Sequence, residues 1–283
     1  SCDKSADPED ITPEETVTPE EDFFASGPLT LTSTQQEVDA ADKTFAMKLL
    51  SEMDSRYADD GYLFSPISIS TALSMLLNGT QGETAKEIID AIGYGDNIDA
   101  VNDYFNQILS KSASWDSTVI LSTANALVSN KNKNMKQSYA ETLKTVFNAN
   151  ASSFDFSESD SVLNYINGWC NEKTHGMIPQ ILDGVSESAL MYIMNAIYFK
   201  GGWSNGFEKE KTGSRNFTKD NGTTTVVPMM NKTGILNYSR LDGMSLLELP
   251  YGNGSFAFQV LLPDYGTNAR ALASINEAGW NRL

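Results

Sequence analysis

Side chains capable of covalent or acid–base chemistry are scarce in this sequence. Its 283 residues include one histidine, His175, and two cysteines, Cys2 and Cys170. A hydrolase of the Ser-His-Asp or Cys-His type needs its imidazole beside a nucleophile, and the G-x-S-x-G turn that presents many serine nucleophiles is absent. His175 stands just before a glycine typical of a helix end, where an exposed polar residue is the ordinary expectation. The sequence therefore predicts that the protein is not an enzyme.

The residue pattern also gives no support for metal, nucleotide or nucleic-acid sites. One histidine and two distant cysteines cannot build the usual tetrahedral zinc site. The acidic residues near the N-terminus lack the glycine-centred spacing of a calcium loop. Gly201-Gly202 lacks the further glycines and the Lys-Ser/Thr ending of a phosphate loop. The formal net charge of −17 disfavours phosphate backbones, because these bind basic surfaces. We expect no metal, no cofactor and no nucleic-acid partner.

Cys2 stands at the start of a strongly acidic segment. Residues 1–22 contain nine Asp/Glu, one Lys and three prolines, a composition that cannot bury enough apolar surface to offset the entropy of ordering. We therefore predict a disordered tether over residues 1–33 and a folded domain over residues 34–283.

The Ser-Cys pair before this tether resembles the mature end of a bacterial lipoprotein. The resemblance predicts that Cys2 carries lipid and that this anchor is the protein's only attachment to a membrane. The location would then be extracytoplasmic, either extracellular or periplasmic, on a bacterial membrane. The alternative is an arbitrary chain boundary beside a free thiol.

Helical spacing dominates the first part of the folded region. The capping-box pattern Thr34-Gln35-Gln36-Glu37 predicts the start of a first helix, and Ser65 followed by Pro66 predicts the start of a second. Residues 67–77 are apolar on almost every side, so this second helix should be buried centrally. Further helices are predicted from Thr84, around residues 101–108 and 139–146, and over 162–170, where Cys170 should be a buried free thiol.

Strand patterns dominate the second part. A first strand is predicted over 118–128, and residues 189–201 form a long run with few charges, which predicts a strand covered on both faces. Asn253-Gly254 indicates a hairpin turn between two of the later strands. Helices that precede strands predict an α+β class, and an amphipathic helix is expected over 268–283. The later strands are predicted at 223–228, 235–240, 244–250 and 256–262.

Several longer motifs occur in a fixed order along the chain. They are FSPISISTALSMLLNGTQGETAKEI at 64–88, INGWCNEKTHGMIPQIL at 166–182, NAIYFKGGWSNGF at 195–207, VPMM at 227–230 and LPDYG at 262–266. Together they resemble the serpins, the family of serine protease inhibitors, from about residue 40 to the end. The resemblance implies a serpin fold, with helices around a large central mixed sheet and smaller sheets beside it.

The resemblance also implies a mechanism of inhibition. A serpin presents a reactive loop to its target and is attacked as a suicide substrate. The cleaved loop then inserts into the central sheet and distorts the bound protease, because the native fold is trapped above a more stable state. On this basis we expect a monomer whose partner is a serine protease or, alternatively, a cysteine protease.

The same resemblance implies roles for individual residues. Ser65, Ser68 and Asn195 match the family's shutter, a polar cluster beneath the place where the central strands separate. Trp203 matches the tryptophan of the breach, where loop insertion begins. Read without the family, Asn195 is a buried amide bonded to neighbouring backbone and Trp203 is a core residue.

The family's reactive loop, its hinge and the final strands lie downstream of the matched motifs. The residue that would enter the protease's primary pocket is therefore not in this chain, and we expect the sequence to be the N-terminal portion of a longer serpin. Some serpins do not inhibit proteases. The alternative function is accordingly a non-inhibitory serpin that serves as a cell-surface binding or structural module.

Overall fold

The structure is a computed structural model that describes residues 29–57, 62–219, 222–241 and 243–264. Cys2, the greater part of the predicted tether and the predicted helix 268–283 lie outside the described residues. The last two residues of the LPDYG motif also lie outside them. The described part of the chain contains six α-helices, which are α1 Ser33–Tyr57, α2 Pro66–Leu77, α3 Gly82–Ile92, α4 Ile98–Lys111, α5 Gln137–Phe147 and α6 Ser159–Lys173.

The start of α1 differs from its sequence prediction by two residues. The side chain of Thr32 accepts a hydrogen bond from Gln35 N at 3.3 Å, and Gln35 Oε1 accepts one from Thr32 N at 2.9 Å. The capping box therefore joins Thr32 to Gln35, and the prediction of a box from Thr34 to Glu37 is wrong because glutamine can take the same role three residues after an earlier threonine. Leu31 already packs against the core, so packed structure includes residues that the sequence assigned to the tether.

The next two helices show when a cap can be read from sequence. Ser65 caps α2 as predicted, because its side chain accepts a hydrogen bond from Ser68 N. Helix α3 begins at Gly82, before the predicted Thr84. Its N-cap residue, Gln81, has an extended backbone but makes no side-chain capping bond, so the sequence carries no signal at that point.

The strands form three sheets. Their bounds are β1 Val119–Asn130, β2 Ala149–Phe154, β3 Met191–Gly201, β4 Gly213–Thr218, β5 Thr224–Met229, β6 Asn237–Leu241, β7 Met244–Tyr251 and β8 Phe256–Pro263. The sheet orders are β2-β1-β3, β4-β5 and β6-β7-β8, with β1 and β2 parallel and the remaining pairs antiparallel. Helices around a mixed sheet, with smaller sheets beside it, confirm the predicted α+β class.

Two strands, β2 and β4, were not predicted. Both are six residues long and consist mainly of small or polar residues, ANASSF and GSRNFT, without apolar alternation. Their pairing with longer neighbours, rather than their own β-propensity, establishes them as strands.

Strand β3 lies between helices on its two faces. Met191 and Ile193 pack with the α1–α5 core, while Tyr192 and Met194 pack with residues of α6 on the opposite face. Only Ala196 of this strand is buried. The predicted covering of both faces is confirmed, although most residues of the strand stay partly exposed, because within the described residues β3 is hydrogen-bonded to β1 alone and its other edge is open.

The main core lies among α1–α5 and β1. Its largest fully buried side chains include Met75, Phe105, Leu127 and Phe147. Helix α2 contributes Ser70, Thr71 and Ser74 to the buried set as well as apolar residues, in agreement with its predicted central position. No helix in the described ranges has the length and apolar content that crossing a membrane requires.

The turn between β7 and β8 is fastened to the residues that precede β1. Asp116 Oδ2 accepts a hydrogen bond from Asn253 N at 2.7 Å, and the carbonyl of Trp115 accepts bonds from Asn253 and Ser255 side chains. The predicted Asn-Gly turn is present, and Gly252 and Gly254 both have positive φ. This contact joins the β6-β7-β8 sheet to the start of β1 in the β2-β1-β3 sheet, which is the central sheet.

Candidate functional site at the open edge of β3

The N-terminus of α2 positions one hydroxyl beneath the central sheet. Ser65 has an extended backbone and Pro66 begins the helix with a fixed φ, which directs the chain into its first turn. Ser68 N is held by Ser65 Oγ at 3.3 Å. The hydroxyl of Ser68 is then free to donate a hydrogen bond to Asn195 Oδ1 on β3.

Asn195 also forms a hydrogen bond to β1. It stands directly opposite Asn125 in the antiparallel β1–β3 register, and its Nδ2 donates to Asn125 Oδ1 at 2.6 Å. Asn125 Nδ2 donates in turn to the carbonyl of Phe147 at 2.8 Å. Because a carbonyl only accepts, this last bond fixes the orientation of the Asn125 amide and leaves its oxygen facing Asn195.

The resulting relay, Ser68–Asn195–Asn125–Phe147, links α2, β3, β1 and the end of α5. The structure brings the predicted residues Ser65, Ser68 and Asn195 together, although Ser65 acts on Ser68 backbone rather than on Asn195. The sequence prediction missed Asn125, which is 4% exposed. Its signal was an amide inside the apolar strand pattern of 118–128, the same type of irregularity that marks Asn195.

A cavity of about 390 Å³ lies beside the relay. Its walls come from α2, α6 and β3, and they include Ser68, Leu73, Trp169, Cys170 and Asn195. An open strand edge offers unpaired N–H and C=O groups to another extended segment. The edge of β3 that is unpaired among the described residues, together with this cavity, can thus receive an added strand, with the relay at its middle.

Trp203 lies beyond the C-terminal end of β3, away from the relay. It forms an isolated β-bridge with Tyr251 and stacks on that ring, with 4.5 Å between ring centroids and 12° between planes. Phe207 and Phe258 meet it edge-on. A side chain at Gly201 would come within 2.9 Å of the Tyr251 ring, so glycine at the end of β3 permits this close approach.

Two residues considered for chemistry, Cys170 and His175, lie within the described structure. Cys170 is a buried free cysteine as predicted, and burial raises the pKa of its thiol. His175 is exposed and lies against Tyr198, with 4.2 Å between ring centroids. Across the described ranges no group of three or more His, Cys, Asp and Glu side chains is arranged to hold a metal ion.

Comparison with known proteins identifies the fold and the family. The model of the serpin family, described as serine protease inhibitors, matches residues 40–283. The chain belongs to the serpin family. Human neuroserpin is 31% identical over 219 residues, which cover 72% of this chain and 52% of neuroserpin. An uncharacterised serpin-like protein of Thermococcus kodakarensis is 32% identical over 225 residues, which cover 79% of this chain and 52% of that protein.

Solved serpin structures have the same fold. Cleaved kallistatin in complex with heparin superposes with a TM-score of 0.82 at 23% identity, covering 88% of this chain and 74% of kallistatin. Reactive-loop-cleaved human thyroxine-binding globulin superposes with a TM-score of 0.82 at 24% identity, covering 89% of this chain and 76% of the globulin. Tengpin, a thermophilic serpin in its latent state, superposes with a TM-score of 0.78 at 25% identity, covering 90% of this chain and 68% of tengpin. This serpin chain spans about half the length of the curated relatives it matches.

Proposed function

We propose that the complete protein is a suicide-substrate inhibitor of a serine protease, with a cysteine protease as the alternative target class. The observation that carries this proposal is the polar relay at the edge of β3 that is unpaired in the described part of the chain, next to an apolar cavity. A hydrogen-bonded cluster of hydroxyl and amide groups can satisfy itself before a strand is added and bond again around the new strand. An apolar contact at the same place would offer no such second arrangement.

Loop insertion supplies the energy for inhibition in this proposal. Protease attack on the reactive loop would form an acyl-enzyme, and the released loop would add to β3 by main-chain hydrogen bonds. The added strand would bury the apolar wall formed by α2 and α6. The protein is not itself the enzyme in this reaction, because the serine or cysteine nucleophile belongs to the protease.

The test uses the complete gene product and a panel of chymotrypsin-like, subtilisin-like and papain-like proteases. We expect a covalent complex that survives denaturing electrophoresis with at least one of them. A catalytically dead protease, with its nucleophile replaced by alanine, is the matched control and should give no such band. Cleavage without any stable complex across the whole panel would contradict the proposal.

A second candidate function is a non-inhibitory serpin that acts as a surface binding or structural module. The likeness to solved serpins does not choose between the two candidates, because cleaved kallistatin and cleaved thyroxine-binding globulin superpose equally well. Heating separates the two candidates. Nicking the reactive loop should sharply raise the Tm of an inhibitor, whereas the Tm of the alternative should stay nearly the same.

We also propose that Cys2 carries a lipid that holds the domain outside the cytoplasm of a bacterium. The support is the position of Cys2 before an acidic, proline-containing segment. Metabolic labelling with an alkyne fatty acid should mark the complete protein and leave Cys2→Ser unlabelled and released from membranes. Light scattering of the delipidated protein should give the mass of a monomer. Equal labelling of the wild type and of Cys2→Ser would contradict the proposal that Cys2 carries the lipid.

A further inference from the structure

A second cavity, of about 310 Å³, lies where the segment after β3 meets β6 and β7. Its wall is aromatic and aliphatic, with Trp203, Phe207, Ile235 and Leu249 among its lining residues, and Lys232 is the cation in that lining. A cavity of this size with an apolar wall and a few polar groups is typical of a site for a small molecule. The relay at β3 shares no residue with it.

Lys232 is held in place at this cavity without an ionic partner. Its Nζ donates to the carbonyl of Asn205 at 2.6 Å and lies 5.2 Å from the centroid of the Phe207 ring. Among the described residues it forms no salt bridge. An ammonium group has three donors, so two remain for a ligand.

The acid nearest to the lining along β7 is already engaged. Glu248 accepts hydrogen bonds from Asn237 at 3.1 Å and from Gln259 at 2.8 Å, one on each carboxylate oxygen. Lys232 is the lysine of the cavity lining, and its ammonium group has donors beyond the bond to Asn205. Its free donors favour an anion there.

The aromatic wall is rigid before any ligand arrives. Trp203 is fixed between the stacked ring of Tyr251 and the edges of Phe207 and Phe258. A rigid wall avoids the entropy cost of ordering side chains on binding. The parts of the Trp203 and Phe207 rings that remain exposed offer apolar contact to another flat aromatic group, which prefers offset or edge-to-face contact.

We propose that this cavity binds a small aromatic carboxylate, with its ring against Trp203 and Phe207 and its carboxylate on the Lys232 ammonium. The carboxylate would take a charge-assisted hydrogen bond, stronger than a neutral one. This site is additional to the proposed inhibition of proteases. It needs neither a reactive loop nor an open β3 edge.

The probe is indole-3-propionate, titrated calorimetrically into the complete protein at low salt, with neutral indole-3-propionamide as its matched ligand. We expect a Kd on the order of 0.1 mM for the carboxylate and about tenfold weaker binding of the amide. Lys232→Met should reduce the affinity for the carboxylate to that of the amide, and Lys232→Arg should retain the preference. Lys133→Met, which removes an exposed lysine outside the cavity, should change neither affinity.

A second variant locates the ligand without disturbing the core. Ile235 is fully exposed, so Ile235→Glu should fold normally, which circular dichroism will check, and should repel the carboxylate more than the amide. The proposal is overturned if carboxylate and amide bind the wild type equally. It is also overturned if Lys232→Met keeps the preference, or if no binding of the carboxylate occurs up to 5 mM, about fifty times the expected Kd.

Discussion

Asn125 and Asn195 face each other across the β1–β3 pair, and the amide of Asn195 donates to the Asn125 oxygen at 2.6 Å. Each therefore satisfies a polar group that the other brings into the middle of the sheet. Ser68 and the carbonyl of Phe147 complete the set on either side. Because both amides depend on each other, the pair should act as a unit in stability and in strand separation.

A double-mutant cycle tests this coupling. Asn125→Ala and Asn195→Ala should each lower the free energy of unfolding by about 2 kcal/mol, because each leaves a polar partner without its hydrogen bond. The double variant should lower the free energy of unfolding by less than the sum of the two single-variant effects, and the difference should be about 1 kcal/mol or more. Urea unfolding followed by fluorescence gives the three values. Additive costs would show that the two amides act independently.

The control for that cycle lies in the same sheet. Asn150 on β2 is exposed, and Asn150→Ala should change the free energy of unfolding by less than about 0.5 kcal/mol. A large effect at Asn150 would mean that any asparagine in this sheet is costly to remove. The result would then say nothing particular about the relay.

Ser68 and Ser65 should separate strand opening from helix capping. In the complete protein, Ser68→Ala removes the donor to Asn195 Oδ1, so we expect easier opening beside β3, seen as polymerisation or spontaneous inactivation on mild warming. Ser65→Ala removes the cap of α2 and should cost about 1 kcal/mol of stability, without the same rise in polymerisation. Size-exclusion chromatography after incubation measures both. Equal polymer yields from the two variants would remove the distinction.

The sequence predicted Ser68 and Asn195 of the relay and missed Asn125. Ser65 and Pro66 form a local pattern that determines a helix start by itself, and Ser68 follows one turn later. Asn195 stood out because it interrupts a long apolar strand. Asn125 also interrupts a strand pattern, but its pairing with Asn195 depends on the register of β1 against β3, and register is a long-range property that neither strand encodes alone.

The fold shows the same division between local and long-range information. Helices with apolar spacing and the Asn253-Gly254 turn were predicted from their own residues. Strand β2 consists mainly of small or polar residues and exists because β1 lies alongside it. The contact of Asp116 with Asn253 spans 137 residues, and such a contact leaves no trace in local periodicity.

That contact predicts a strong effect of one added methyl group. A Cβ at Gly252, which has φ of +46°, would overlap the Asp116 carboxylate and the Thr118 hydroxyl. Gly252→Ala should therefore lower the free energy of unfolding by about 3 kcal/mol. Gly254 also has positive φ but open space at its Cβ, so Gly254→Ala should cost about 1 kcal/mol.

Removing the Asp116 carboxylate should relieve part of the clash at Gly252. In an Asp116→Ala background, Gly252→Ala should cost less than it does in the wild type, although Thr118 still obstructs it. Chemical denaturation of the four proteins gives the coupling. If Gly252→Ala costs no more than Gly254→Ala, the turn is not held against Asp116 as the structure has it.

Two carboxylates should change stability with pH in opposite directions. Asp155 accepts hydrogen bonds from Ser157 Oγ at 2.7 Å and Ser157 N at 3.0 Å, and with Lys131 nearby these lower its pKa to about 2. Asp42 accepts from Tyr94 at 2.7 Å, but burial raises its pKa. The two groups therefore differ in which protonation state the folded protein prefers.

The sign of each effect follows from proton binding. Around pH 4 to 2 the unfolded chain takes up a proton at Asp155 before the folded protein does, so wild type should lose stability relative to Asp155→Asn as the pH falls. At Asp42 the folded protein takes up the proton first, so wild type should gain stability relative to Asp42→Asn as the pH falls through the raised pKa. Urea midpoints of the three proteins at a series of pH values measure both differences. Parallel curves for wild type and either variant would show that the corresponding carboxylate has the same pKa folded and unfolded.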